Sequence, residues 1–275
     1  MIRDPSFIYL ATILPPILIG LIIWKSDKFP EPGKFLFASF LLGVSIYLPI
    51  TFLIFFTHDH LAPLLGLNID GDLAMARGAE RAFLHFFRAA FLEEGLKFAL
   101  LLFFCVRLSD LNEPMDAIVY GAAIGLGYAA MENVGYQYSD SESAWTMKMV
   151  KARYYPLIMH LGFGVLMGWL LSLNLFDERS NFKRRLMLIL TLLIPVIFHG
   201  SYNYLGAFDV FPALTLIMVI GIVYYQRREQ EKKITEAVEK ARVENIDVFY
   251  SYLITFAFVA ITVGSAIYTT NFLNN

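Results

Sequence analysis

Two adjacent carboxylates and a lysine, Glu93, Glu94 and Lys97, stand in a run of apolar residues otherwise suited to a membrane interior. A charged side chain at the centre of a membrane helix costs roughly 2.5–3.5 kcal/mol on insertion scales, so such charges face a protein interior or a wet cavity. Glu93 and Lys97 are four apart, and Glu94 and Lys97 three apart, so they share a helix face. One carboxylate can pair with the ammonium and leave the other free as a general acid or base. A single Glu–Lys pair would suffice to lock helices together. The second carboxylate therefore points to chemistry.

Three further polar constellations follow in other apolar runs. Tyr128 and Glu132 share a face, with Asn133 next in sequence, on a segment carrying Gly121, Gly125, Gly127 and Ala129. Such small residues let a neighbouring helix approach closely. His160 precedes Gly162 and Gly164. His199 and Asn203 are four apart, and an imidazole with a side-chain amide can hold a developing oxyanion and move protons. The alternative use of the imidazoles is a zinc site, His160 and His199 with Glu94 or Glu132. No His-Glu-x-x-His helix is present.

The elements that must position these groups are membrane spans. The 275 residues are 57% hydrophobic and 17% charged, with mean hydropathy +0.58. Soluble domains are about 45–50% apolar and about 25% charged. A net charge of −2 argues against a nucleic-acid partner. Apolar runs near the required length of about 20 residues occur at roughly 7–24, 35–56, 82–106, 115–136, 154–175, 186–206, 210–225 and 248–270. They predict an all-α polytopic transmembrane bundle of about eight spans, one domain over 1–275, with its catalytic core at about 80–206. Residues 57–80 and 137–153 are expected as outer loops, and 226–247 as a cytoplasmic connector helix. Asn68 to Asp72 reads as a turn, since Ala79 stands where a calcium loop needs its glutamate. The lone Cys105 reads as a buried small hydrophobe.

Basic residues orient the bundle. With the N-terminus outside, the inner segments carry Lys25, Lys28 and Lys34, then Arg107, then Arg179, Lys183, Arg184 and Arg185, and finally a basic cluster from Arg227 to Arg242. The outer segments carry only Arg3, Arg77, Lys148, Lys151 and Arg153. The bias predicts N-out and C-out. Glu93, Glu132, His160 and His199 then lie five to seven residues below the outer edges of four consecutive spans, roughly 7–11 Å deep. Accidental polar residues would not need to agree in depth.

The ordered set Glu-Glu-x-x-Lys at 93–97, Tyr-x-x-x-Glu-Asn at 128–133, His-x-x-x-Gly at 160–164 and His-x-x-x-Asn at 199–203 resembles the PrsW family of intramembrane endopeptidases. That family is related to the CAAX prenyl endopeptidase and bacteriocin-processing proteins, and the resemblance covers roughly residues 80–206. It implies cleavage of a single-span membrane protein such as an anti-sigma factor, on the extracytoplasmic side of a bacterial cytoplasmic membrane. Carried over, Glu93 or Glu94 would activate the attacking water. His199 and Asn203 would hold the oxyanion, with Lys97, Tyr128 and Asn133 in support. The wider superfamily has histidine where this chain has Glu132, so His160 is the imidazole available to stand in. The family is classed both as metalloprotease and as glutamic-type. Metal-free catalysis is favoured here, because Asn203 suits an oxyanion donor better than a zinc ligand, and zinc is the alternative. A proton- or ion-coupled carrier is the competing reading, since intramembrane Glu, His and Lys can also form relays. Against it, the polar set is confined to the outer half of the spans.

Overall fold

Every element among the described residues is helical, which is how a long apolar segment satisfies its backbone polar groups without water. The structure, a computed structural model, describes residues 5–69, 78–139, 147–177, 180–206 and 210–238. The principal helices are α1 (Pro5–Ser26), α2 (Gly33–Ser45), α3 (Tyr47–Phe56), α4 (Leu92–Phe103), α5 (Pro114–Ser139), α6 (Tyr154–Leu175), α7 (Asn181–Leu205) and α8 (Val210–Val238). Four described stretches are long and apolar enough to cross a membrane: Gly33–Leu64, Val150–Leu175, Asn181–Leu205 and Val210–Thr235. A shorter apolar helix runs over Leu10–Ser26.

Several expected boundaries move. The run over 82–106 is not one regular α-helix. Phe83–Phe91 winds as a π-helix, α4 follows directly, and Cys105–Arg107 closes as a 3-10 turn. The second span continues past residue 57, where a loop was expected, as far as Leu64. Its join at Ile46 separates α2 from α3, next to the place where Pro49 has no N–H to offer the carbonyl of residue 45. Span seven and the start of the connector form one helix, α8, without a break. The expected eighth span, the rest of the connector and residues 70–72 of the expected turn lie outside the described residues.

At the centre is α5. Residues 115–130 are all buried, and α6 is its most extensive neighbour, followed by α2 and α1. Lipid tails are as apolar as leucine, so close packing rather than water exclusion holds such helices together. The seam is built from missing side chains. A Cβ on Gly121 would strike the Gly164 carbonyl, one on Gly164 the Gly121 carbonyl, and one on Gly125 the His160 carbonyl. Gly125 thus sets the height of His160 against α5. Large apolar side chains such as Leu48, Phe52, Leu64, Phe182 and Ile217 stay outward and exposed, as a lipid-facing surface requires. At the other end of α5 a polar layer gathers Asp27, Glu31, Glu113 and Gln230, and burial pushes the carboxyls of Asp27, Glu31 and Glu113 above their ordinary pKa.

Candidate active site

Lys97 organises the site. Its ammonium, 1% exposed, donates to Glu94 Oε1 at 2.8 Å and to His160 Nδ1 at 2.9 Å, and stands 3.8 Å from Glu93 Oε2. It also lies 4.3 Å from the centre of the Tyr128 ring, a cation–π contact strengthened by the dry surroundings. An ammonium has three donors and no lone pair. His160 Nδ1 must therefore accept, which places the ring proton on Nε2, facing Glu132 Oε2 at 3.3 Å. The Tyr128 ring meets the His160 ring edge-on at 5.0 Å. Two of the supporting residues thus fix one imidazole.

The second imidazole is fixed from the other carboxylate. His199 Nδ1 and Glu94 Oε1 are 2.8 Å apart. A carboxylate only accepts, so Nδ1–H donates and the second ring nitrogen is left for chemistry. Phe163 stacks on the His199 ring at 5.1 Å, and the rings of His160 and His199 are 5.5 Å apart. Gly200 makes room for this arrangement. A Cβ there would enter the Phe86 ring of the π-helical segment. The extra residue per turn of a π-helix is a recurrent feature at functional sites, and this one ends directly before Leu92 and Glu93.

Glu132 belongs to a third group. Arg153, the residue preceding α6, donates from Nη2 to Glu132 Oε2 at 2.9 Å and from Nε to Asn133 Oδ1 at 2.9 Å. Asn133 in turn donates to the Thr12 carbonyl of α1 at 3.4 Å. A cavity of about 360 Å³ joins these groups, lined by Glu93, Glu132, His160, His199 and Asn203 among others. Glu94 is fully buried and does not line it. The structure thus distinguishes the two adjacent carboxylates, which the sequence left equivalent. Glu93 faces the cavity with Oε2 accepting no hydrogen bond, and Glu94 lies behind as the partner of Lys97 and His199.

All nine residues singled out in the sequence lie at this one site. The sequence reading missed Arg153, which it counted as a loop charge, and Tyr136, His85 and Arg88, which also line the cavity. Signals were available: Tyr136 is four residues after Glu132, Arg88 five before Glu93, and Arg153 about two turns before His160.

A sequence model of the PrsW family intramembrane metalloproteases matches residues 31–226, which contain all nine of these residues and Arg153. The chain belongs to the PrsW family. Among the proteins it resembles is Protease PrsW of Oceanobacillus iheyensis, 28% identical over 230 residues, 82% of this chain and 96% of that one. Protease PrsW of Clostridioides difficile is 27% identical over 221 residues, covering 80% and 87% of the two chains. Protease PrsW of Bacillus subtilis is 30% identical over 198 residues, covering 71% and 80%. No solved structure matches this chain. As a PrsW protein, the chain is an integral membrane protein and an intramembrane protease, and its protease relatives favour that activity over a carrier.

Proposed function

We propose that this PrsW protein cleaves a single-span membrane protein, of the anti-sigma-factor kind that the family resemblance suggests, near the extracytoplasmic face, with Glu93 activating the water. The observation that carries the reading is a pairing: a cavity-facing carboxylate, Glu93, beside an imidazole, His199, whose Nδ1 is held by the buried Glu94. Glu93 takes a proton from a water in the cavity as the water oxygen attacks the peptide carbonyl. The carbonyl electron pair moves onto oxygen. The Asn203 amide donates to that oxyanion, and His199, held through Nδ1 by Glu94, presents its second nitrogen to it. When the C–N bond breaks, the Glu93 carboxyl returns its proton to the leaving amine. Lys97 balances the charge of both glutamates, and Arg153 holds Glu132 as acceptor for His160.

The donors also fit a zinc-class ion. Glu93, Glu94, His160 and His199 each bring a ligand atom to within 4.8 Å of the others, and Glu93 Oε2 and Glu94 Oε2 lack partners. Bound by those four residues, the ion would polarise the carbonyl and acidify the water. The Lys97 ammonium already donates to Glu94 Oε1 and His160 Nδ1, which leaves Glu94 Oε2 as the oxygen open to an ion.

The test is co-expression with a panel of single-span proteins and sequencing of any new termini. Glu93→Gln is expected to lower cleavage about 10²–10⁴-fold, the range for losing a general base. Cleavage at the wild-type rate by Glu93→Gln would remove Glu93 from the base role. The same assay on purified protein, after extraction with a chelator and metal quantification, decides between metal-free and metal-dependent cleavage.

A further inference from the structure

The polar layer at the other end of α5 is built from segments distant in sequence. Asp27 directly follows α1, Glu31 lies in the loop after it, Glu113 directly precedes α5, Asp116 stands in the first turn of α5, and Gln230 comes from α8. Asp116 and Glu132 are sixteen residues apart on α5, about 24 Å along the helix axis, so this layer is separate from the protease site. One Gln230 Nε2 donates to both Asp27 Oδ1, at 2.7 Å, and Glu113 Oε1, at 2.6 Å. Asp116 Oδ2 accepts from the backbone N–H groups of Asn112 and Glu113 at 2.8 and 2.7 Å. The Tyr120 hydroxyl donates to Glu31 Oε2 at 2.6 Å.

Each of these bonds serves one oxygen of its carboxylate and leaves the other. Asp27 Oδ2 and Asp116 Oδ1 have no hydrogen-bond partner, and their residues are 5% and 0% exposed. Asp27, Glu113 and Asp116 each bring a carboxylate oxygen to within 4.8 Å of the others. Three carboxylates converging here, two of them buried and Glu113 half-buried, repel one another and leave lone pairs unsatisfied. Lys28 Nζ is directed at Glu231, 3.4 Å away, and Lys233 offsets part of the charge of Glu113 without a direct ion pair among the described contacts.

We propose that Asp27, Glu113 and Asp116 form a binding site for a hard divalent cation of the Ca²⁺, Mg²⁺ or Mn²⁺ class. The donors are all oxygens, with no imidazole or thiolate in the group, which selects that class over zinc or copper. Glu31 neighbours Asp116 and supplies a further carboxylate beside the site. A bound ion would join the end of α1 directly to the start of α5, segments otherwise bridged through Gln230 of α8.

The experiment uses the purified full chain in detergent, stripped with a chelator and titrated separately with CaCl₂, MgCl₂ and MnCl₂. At least one ion is expected to raise the melting temperature, and bound Mn²⁺ is expected to appear in its paramagnetic resonance spectrum at one ion per chain. Asp27→Asn and Asp116→Asn keep the side-chain size and are expected to weaken that binding at least tenfold. Glu93→Gln with His199→Ala removes donors of the protease site and is expected to leave it intact, which separates the two sites whatever the fate of the catalytic reading. Absence of binding and of any melting shift with all three ions, in folded wild-type protein, overturns the proposal. So does binding that survives Asp27→Asn with Asp116→Asn, or that vanishes with Glu93→Gln and His199→Ala in a variant with a wild-type melting transition.

Discussion

Lys97 touches both halves of the catalytic constellation, the Glu94–His199 pair and the His160–Glu132 pair. Lys97→Met keeps the chain length but removes the donors, leaving buried carboxylates without their counter-charge. Breaking a buried pair by removing one partner is destabilising by about 3–5 kcal/mol, so a markedly lowered melting temperature and loss of cleavage are expected together. Lys97→Arg keeps the charge, but a planar fork cannot place point donors toward Glu94 and His160 from the same stem. Cleavage should therefore stay low even where the melting temperature recovers. A Lys97→Arg protein with wild-type cleavage would show that charge alone suffices. The residues themselves were legible, because intramembrane charges are rare enough to stand out singly. Their division of labour was not. Adjacent positions on a helix lie about 100° apart, and only packing decides which of Glu93 and Glu94 faces a cavity.

At the scale of elements, the glycines of α5 were legible as packing surfaces, but not which backbone each one admits. Gly125 lies against the His160 carbonyl itself. Gly125→Val would push α6 outward at the height of His160 and stretch its bonds to Lys97 and Glu132. Overpacking of this kind costs typically about 1–3 kcal/mol, and cleavage should fall out of proportion to the stability lost. Gly221→Val on α8 is the control. A Cβ there meets nothing within 4 Å, so melting and cleavage should both stay near wild type. Equal loss of cleavage in the two variants, at equal folded yield, would sever Gly125 from His160. The π-helical turns before Glu93 had no signature in an apolar period. Phe83, Phe87 and Phe91 stack in succession at 5.3 and 5.5 Å, a spacing of four that ordinary α-helices also use. The π-helical segment packs against α7, a tertiary contact that no window on one segment can reveal.

For the whole molecule, composition already required an all-helical membrane protein, and four ordered motifs pointed to one site. Spans were counted less securely, because length and apolarity fade where a helix carries catalytic charges, as over 82–106. The charge bias still makes a definite statement about sidedness. It predicts residues 57–80 outside, on the side of the catalytic cavity, and the segment between α4 and α5 inside, on the side of the carboxylate layer. The chain supplies its own silent background for a test: Cys105, its single cysteine, is fully buried, and the thiol of a buried cysteine is inert. Asn68 and Ser109 are both exposed and lie in the two segments at issue. In intact bacterial cells, a membrane-impermeant maleimide is expected to label Asn68→Cys and to spare Ser109→Cys until the cells are opened. Asn68 is in the same helix-to-helix connection as Leu64, and Ser109 lies three residues beyond the last 3-10 turn residue but one, so each reports the end of the bundle to which it is attached. The reverse labelling pattern would turn the cavity toward the cytoplasm, remove extracytoplasmic anti-sigma factors from its reach, and make a cytoplasmic juxtamembrane segment the substrate to seek.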